Sequence, residues 1–515
     1  MKKYTLLVSM VLIFLLLCTT QARSELDVSL RGALSSLFVL RDTNGFQHGL
    51  MDELYGTQWR NELQFDLTVR PVYKTLPSVR LEKVFLSYKG AYDAIYDLRD
   101  HAFEDIQKHK SEDFELGRRD IETENDLREA FVDFVAAEGM HKANLRLGRQ
   151  IVRWGESDAF NVINVVNPSD NSYQMFFSDP DDTATPLWMA RLDYSVMGAG
   201  FLDTFGIELL AIPDIRPMLT APLNGETCAN FDAPYAFLYR GYGDPLGGAF
   251  LPYMDTTVNH INEDVPGNGT ENMEYAVSTS FGIGGFEGVL HYFAGHQDMG
   301  AVDFSDYWTY WMPVLGGFGY PGMIGGKNEL TFRHPMQRVY GYSFNYFVAP
   351  LNGVIRGEGA YTNKMSLFEV DPTFTDTTWI AKKNVIHNVL AFDKDLHPSW
   401  IGTDSALTWN TEGHWKHIKG WDTDKAIHPA NKEDTFILTT LLMTDYYHGT
   451  IKPTILGMYD TEGTWCTRAN IKWDPDGKWL YEITEMSWWG NPNCISDFAP
   501  LINTSELSFK VSYRF

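Results

Sequence analysis

The segment Asn61-Glu-Leu-Gln-Phe-Asp-Leu-Thr-Val-Arg70 alternates without a fault: Leu63, Phe65, Leu67 and Val69 fall on one face of an extended strand, and Glu62, Gln64, Asp66, Thr68 and Arg70 on the other. The run Ser505–Phe515 repeats the pattern, with Leu507, Phe509, Val511, Tyr513 and Phe515 opposite Glu506, Ser508, Lys510, Ser512 and Arg514. Strands this cleanly divided suit either the half-buried sheet of a soluble sandwich or the wall of a membrane barrel. The amino-terminal residues separate the two. Lys2 and Lys3 precede an apolar run from Leu6 to Leu17 and a small-residue exit at Thr20-Gln21-Ala22, the form of a secretory signal. Residues 1–22 are therefore expected to be the signal and 23–515 a single exported domain. Cys18 follows Leu17 where a lipoprotein signal carries a small residue, so lipid anchoring is not expected.

Beyond the signal no stretch approaches the roughly 20 apolar residues of a membrane helix. A chain that enters a membrane without such helices must close into a barrel, because hydrocarbon leaves no partner for a free backbone N–H or C=O. The 32 Phe, 26 Tyr and 15 Trp, without long apolar runs, suit alternating strands with interfacial girdles. A formal charge of −25 makes nucleic acid an improbable partner. Four cysteines exclude a disulfide-dense scaffold. In an oxidising compartment Cys466 and Cys494 are the candidate pair, which leaves Cys228 over. There is no CxxC, and neither a metal site nor a cofactor is expected.

Alternation predicts strands at about 27–39, 61–70, 79–88, 127–136, 143–152, 187–196, 203–212, 273–281, 285–294, 335–348, 353–362, 384–393, 399–409, 433–445, 449–459, 463–474, 478–489 and 503–515. The expected fold is thus an all-β, transmembrane antiparallel barrel of about 16–18 strands. Long polar connections (89–126, 153–186, 213–272 and 295–334 among them) alternate with short turns, the habit of outer-membrane barrels whose turns face the periplasm. The connection at 460–462 is tight where a long loop is due. Within 91–126, Tyr92, Ile95, Tyr96, Phe103 and Ile106 form a loose helical stripe, read as an amphipathic helix in an extracellular loop. The terminal strand, ending on Tyr513 and Phe515, is similar to the signal by which the barrel-assembly machinery recognises its clients.

Function is most concentrated in Leu145-Arg-Leu-Gly-Arg-Gln-Ile-Val-Arg-Trp-Gly-Glu-Ser-Asp-Ala-Phe-Asn-Val-Ile-Asn-Val-Val-Asn-Pro-Ser-Asp170. Leu145 and Leu147 suit lipid, whereas Arg149 in the same register does not: a cation at mid-bilayer costs roughly 2–4 kcal/mol. Either the strand leaves the hydrocarbon near Gly148, or a glycine bulge turns Arg149 inward. Arg153, Glu156, Asp158, Asn161, Asn164, Asn167 and Asp170 follow as a dense polar series. Residues 153–186 are therefore the candidate constriction or plug loop. Arg149 and Arg153 facing Glu156 and Asp158 would set a transverse field across a pore, and Arg356 and Glu358, two apart on one strand face, are candidates for the same site. The structural alternative, in which these charges pair and merely hold a loop in place, carries about equal weight. Trp154 reads as an anchoring aromatic before a substrate platform.

The string GRQIVRWGESDAFNVINVVNPSD, with LREAFVDF before it and FGIELLAIPDIRP after it, resembles the bacterial outer-membrane family called domain of unknown function 1302. RGEGAY at 356–361 and NVIHNVLAFD at 384–393 are similar to further landmarks of that family. The resemblance implies a barrel of unsettled activity, often encoded near a companion of lipoprotein-like fold and near exporter-type transporters.

The leading expectation is an outer-membrane channel for small solutes, with hydrophobic or aromatic ones as candidates. It would contact membrane lipid and lipopolysaccharide. A non-catalytic component docking a periplasmic lipid-handling or export partner is the alternative. An enzyme is not expected: no GxSxG or HExxH occurs, Ser157 beside Asp158 has no nearby His, and His414 and His417 read as scattered loop histidines.

Overall fold

The computed structural model describes residues 25–42, 55–73, 77–98, 122–160, 162–170, 180–218, 260–303, 329–368, 380–403, 405–421, 432–490 and 505–515, with Phe498 and Ile502. The signal expected over residues 1–22, and Phe103, Ile106, Asn161, Cys228 and Cys494, lie outside the described residues.

The described strands of the first half are β1 (Glu25–Asp42), β2 (Tyr55–Val72), β3 (Val79–Asp93), β4 (Thr123–Glu138), β5 (His141–Gln150), β6 (Leu187–Ala199), β7 (Leu202–Ile212), β8 (His260–Asp264), β9 (Glu274–Ile283), β10 (Phe286–His296) and β11 (Ala301–Asp303). Those of the second half are β12 (Glu329–Arg333), β13 (Met336–Val348), β14 (Gly353–Phe368), β15 (Ile380–Leu396), β16 (Leu407–Lys419), β17 (Asp434–Met443), β18 (Ile451–Asp460), β19 (Thr464–Trp473), β20 (Trp479–Gly490) and β21 (Ser505–Arg514). Among the described residues eighteen of these form one antiparallel sheet, while β8, β11 and β12 form a separate small sheet. Each barrel strand pairs with the next in chain order, and β21 returns to β1 from Ala33↔Arg514 to Asp42↔Ser505. The ring is closed, with Gly32 N–H donating to Phe515 O at 2.9 Å and Phe515 N–H to Gly32 O at 3.0 Å. No helix among the described residues is long and apolar enough to cross a membrane; the chain crosses as a barrel.

Register assigns the faces. Leu30, Leu34, Trp59, Leu192, Leu209, Leu290, Leu390, Ile455, Ile483, Phe509 and Phe515 are exposed large hydrophobics on the outer face. Trp465 and Trp489 near one rim, with Trp473 and Trp479 near the other, mark two aromatic belts. Glu62, Asp66 and Ser87 face inward, where Ser87 Oγ donates to Asp66 Oδ1 at 2.7 Å.

The connections sort as the sequence implies. One end carries 94–122, 151–186, 213–273 and 297–335, together with the tight 461–463; at the other, the connections run from 139–140 up to 397–406. One strand is misplaced by alternation. The residues expected as strand 399–409 lie mostly in the turn after β15, and β16 runs through Leu407–Lys419 in the stretch expected as loop. Trp400 and Ile401 mimic an outer face, whereas the true outer face of β16 contains Thr411 and Gly413 and its inner face Glu412, His414 and Lys416. Of the helix expected over 91–126, the described residues show only a short turn, α1 (Ile95–Leu98), flanked by the ends of β3 and β4.

Deleting Phe515 removes both backbone bonds that seal the ring at Gly32, each worth about 1 kcal/mol, and its ring contact with Phe65. The temperature at which the folded barrel loses its fast gel mobility should fall, while Phe515→Tyr leaves it near the parent value.

Candidate functional site: a loop anchored across the lumen

β5 ends at Gln150, and the chain turns into the barrel. Gly148 makes this departure possible: its φ is +136°, and a Cβ there would meet Ala130 O at 2.1 Å. Arg149 is 3% exposed, with Nη1 and Nη2 on Asp126 at 2.8 and 3.3 Å and Nε on Pro186 O at 3.2 Å. It therefore sits in protein rather than hydrocarbon.

The loop that follows has an apolar and a polar side. Val152, Trp154, Val162, Ile163 and Val166 pack on Leu187, Met189, Leu210, Ile212, Ala276, Phe293, Val339, Ala360 and Val389, inner-wall residues from β6 to β15. Gly341 is required by this contact, since a Cβ there would lie 2.0 Å from Ile163 Cδ1. Asn164 and Asn167 tie the loop to itself: Asn164 Oδ1 accepts from Trp154 N–H at 3.3 Å, and Asn167 Oδ1 from Val152 N–H at 2.7 Å. Asn167 Nδ2 also donates to Gln150 O and Thr185 O at 3.2 and 2.8 Å. The root is closed by Asp170 N–H donating to Thr183 O at 2.6 Å, beside the short helix α2 (Pro180–Thr183). Trp154 is fixed at both ends of its indole, with Nε1 donating to Glu208 Oε1 at 2.6 Å and the ring 4.7 Å from that of His291.

The far side of the loop reaches β14, β15 and β16. Glu358 Oε2 accepts from the N–H groups of Glu156 and of Ser157, the latter at 3.0 Å. Glu412 accepts from Asp158 N–H at 3.0 Å, Ala159 N–H at 3.3 Å and Ser157 Oγ at 3.1 Å. Arg356 completes the clamp: its guanidinium donates to Asp158 Oδ2 at 2.6 Å, to Asp393 Oδ2 at 2.5 Å and to Glu156 O. Asn410 Nδ2 donates to Asp158 Oδ2 at 3.2 Å. Phe160 then meets the His414 ring edge-on at 5.1 Å and Phe498 at 5.9 Å, and Phe498 stacks on Trp488 at 5.5 Å. The segment thus bridges the lumen from β5 to β16.

Several expected residues converge here: Glu156, Asp158, Arg356 and Glu358. Arg149 is occupied at Asp126, Asn164 and Asn167 hold loop backbone, and Arg153 is exposed. The cation facing Asp158 is Arg356. Glu412, Asp393, Asn410, Glu208 and Phe160 belong to the site and were not singled out from sequence. Cys466 is a buried free thiol on the inner face of β19.

Comparison with known proteins places the chain in a family. The model of a protein family of unknown function, DUF1302, matches residues 60–515. The chain belongs to that family. No curated protein matches this DUF1302 chain. Among solved structures it is similar to OccAB1 of Acinetobacter baumannii, at 8% identity and a TM-score of 0.46 over 95% of this chain and 96% of that one. It is similar also to the outer membrane protein OpdK of Pseudomonas aeruginosa, at 7% identity and TM-score 0.43 over 95% and 98%. OmpF of Salmonella typhi, in a complex with daunomycin, gives 10% identity and TM-score 0.38 over 95% and 97%.

Two glutamates of the bridge should respond oppositely to neutralisation. Burial, then Glu287 and Asp158, push the Glu156 carboxyl above the usual carboxylate range, with Arg356 opposing. An acid raised by folding favours the folded loop most at pH below its ordinary value, and that contribution is lost as pH rises through the raised one. Besides its backbone contacts, Glu156 meets the wall at Asn345 through a hydrogen bond that Gln can also make, so Glu156→Gln should leave the loop at least as firmly held at neutral pH, with no difference from the parent in acid. Glu412→Gln turns an amide donor toward one of the two N–H groups, that of Asp158 or that of Ala159, and should weaken anchoring by roughly 1–3 kcal/mol. Trypsin cleavage after Arg153, slowed or unchanged in the first variant and accelerated in the second, reads both.

Proposed function

We propose that this chain is a channel of the bacterial outer membrane, passing small solutes, hydrophobic or aromatic ones among them, past a loop held inside the lumen. The observation that carries this reading is how the loop is held. Its polar side is fixed by the carboxylates of Glu358 and Glu412 and the Arg356 guanidinium, and its apolar side by the inner wall from β6 to β15, so it shapes a passage and sets its charge without sealing it covalently. Asp158, Asp393 and Glu412 around Arg356 concentrate acid on one side of the crossing, which favours cations or dipolar solutes there. The long connections face the cell exterior and lipopolysaccharide, the short turns face the periplasm, and Tyr513 and Phe515 address the assembly machinery. The chain carries no catalytic role in this reading. Docking of a periplasmic lipid-handling partner is the weaker alternative, because the short-turn end presents few residues to a partner.

Conductance in a planar bilayer tests the reading. The parent protein should conduct, and Glu358→Gln combined with Glu412→Gln should raise single-channel conductance about severalfold. Asp158→Ala should shift the reversal potential in a KCl gradient toward anions. A parent and double variant that are both silent, with a periplasmic protein co-purifying in stoichiometric amount, would favour docking instead.

A further inference from the structure

On the short-turn side of the loop's root the inner wall carries a second cluster that the bridge does not use. β3 has register irregularities at Leu81/Lys83 and Ser87/Lys89, and Phe85, between them, pairs with Phe131 of β4. The two rings lie 5.2 Å apart. Lys83 Nζ hangs over both, 5.0 Å from the Phe131 centroid and 5.7 Å from that of Phe85. Arg146 Cζ covers Phe131 at 3.8 Å. Two cations thus sit on an aromatic pair facing the lumen.

Their counter-charges are already engaged. Asp133 receives Arg146 in a bidentate pair, Nε at 2.7 Å and Nη2 at 2.9 Å, and stands 3.8 Å from Lys83 Nζ. Glu129, the next inward acid on β4, accepts the N–H of Ile151 at 3.1 Å. Arg70, exposed on β2, directly follows Val69, whose register partner is Val84, and this brings it beside Lys83. Lys83 keeps a quarter of its side chain exposed, whereas Asp133 is almost wholly buried. What meets the lumen is an ammonium beside a half-buried phenyl ring, with a guanidinium close by.

We propose that Lys83, Phe85 and Arg70 form a binding site for aromatic carboxylates inside the barrel. The carboxylate takes the Lys83 ammonium, which exchanges a cation–π contact for a charge-assisted hydrogen bond, and the ligand ring lies against Phe85. Three neighbouring cations repel an aromatic amine of the same shape. A small aliphatic acid forgoes the ring contact. The site sits one inward position from the acid that binds the loop's root, Glu129 preceding Phe131 on β4.

This assignment deepens the channel reading, but its test does not depend on transport. Benzoate, benzylamine and acetate are titrated separately onto the detergent-folded full chain, by calorimetry and by saturation-transfer NMR. Benzoate should bind saturably and at least tenfold more tightly than either comparator. Lys83→Gln should weaken benzoate at least tenfold and Phe85→Leu severalfold, whereas Lys83→Arg retains it; fast mobility on an unheated gel confirms that each variant is folded. If Lys83→Gln does not fold, the comparison of benzoate with benzylamine on the parent protein decides. No saturable benzoate binding, equal binding of benzylamine, or full binding in folded Lys83→Gln would overturn the site. A silent bilayer beside intact benzoate binding would count against the channel alone.

Discussion

Hydrocarbon offers the peptide group no hydrogen-bond partner, and everything else in this molecule follows from meeting that constraint with strands. The sheet must close, so β21 returns to β1 and the last residue bonds to Gly32. Closure divides each strand into a face toward lipid and a face toward a cavity, which is why Leu507, Phe509, Val511 and Tyr513 alternate with charged and hydroxylated neighbours. Chain entry and exit then fall at two rims only, and insertions accumulate at one of them.

The cavity so formed is not treated as a uniform water-filled tube. From β6 to β15 the inner wall carries Leu187, Met189, Leu210, Ile212, Phe293 and Val389, and the loop after β5 brings Val152, Ile163 and Val166 to cover them. On its other side the same loop presents consecutive N–H groups to Glu358 and Glu412. Apolar burial thus holds the loop against one arc of the wall, and directed acceptors fix its reach toward β16. Arg356 serves both ends of this arrangement, binding a loop carboxylate and carbonyl while remaining paired with Asp393 on its own wall.

How much of this was legible in the sequence depends on which rule each residue obeys. Strands with one clean apolar face, such as 61–70 and 505–515, announce themselves because lipid punishes any exception. The inward face has no such enforcer, so β16 was blurred by Thr411 and Gly413 outside and by His414 and Lys416 inside, and with it went Glu412. The polar series after Gly148 did signal a loop in the lumen, yet Asn164 and Asn167 drew attention as pore lining when they serve the loop's own backbone. The apolar residues between them, Val162, Ile163, Val165 and Val166, carried the stronger message. So did the stretch Leu209-Leu210-Ala211-Ile212, where apolar residues at consecutive positions on a barrel strand imply cover on both faces. Arg356 and Glu358 were found because a spacing of two is unambiguous on a strand; their partner Asp393 is fixed only by interstrand register, which alternation alone does not supply.

The central claim is that backbone N–H groups of residues 157–159 are sequestered on wall carboxylates inside a closed barrel. Amide hydrogen exchange of the folded protein in detergent measures this directly. The account predicts that Ser157, Asp158 and Ala159 exchange orders of magnitude more slowly than in a free peptide, close to the strand amides of β16. Exchange at free-peptide rates at these three positions, in a barrel whose strands stay protected, would contradict it.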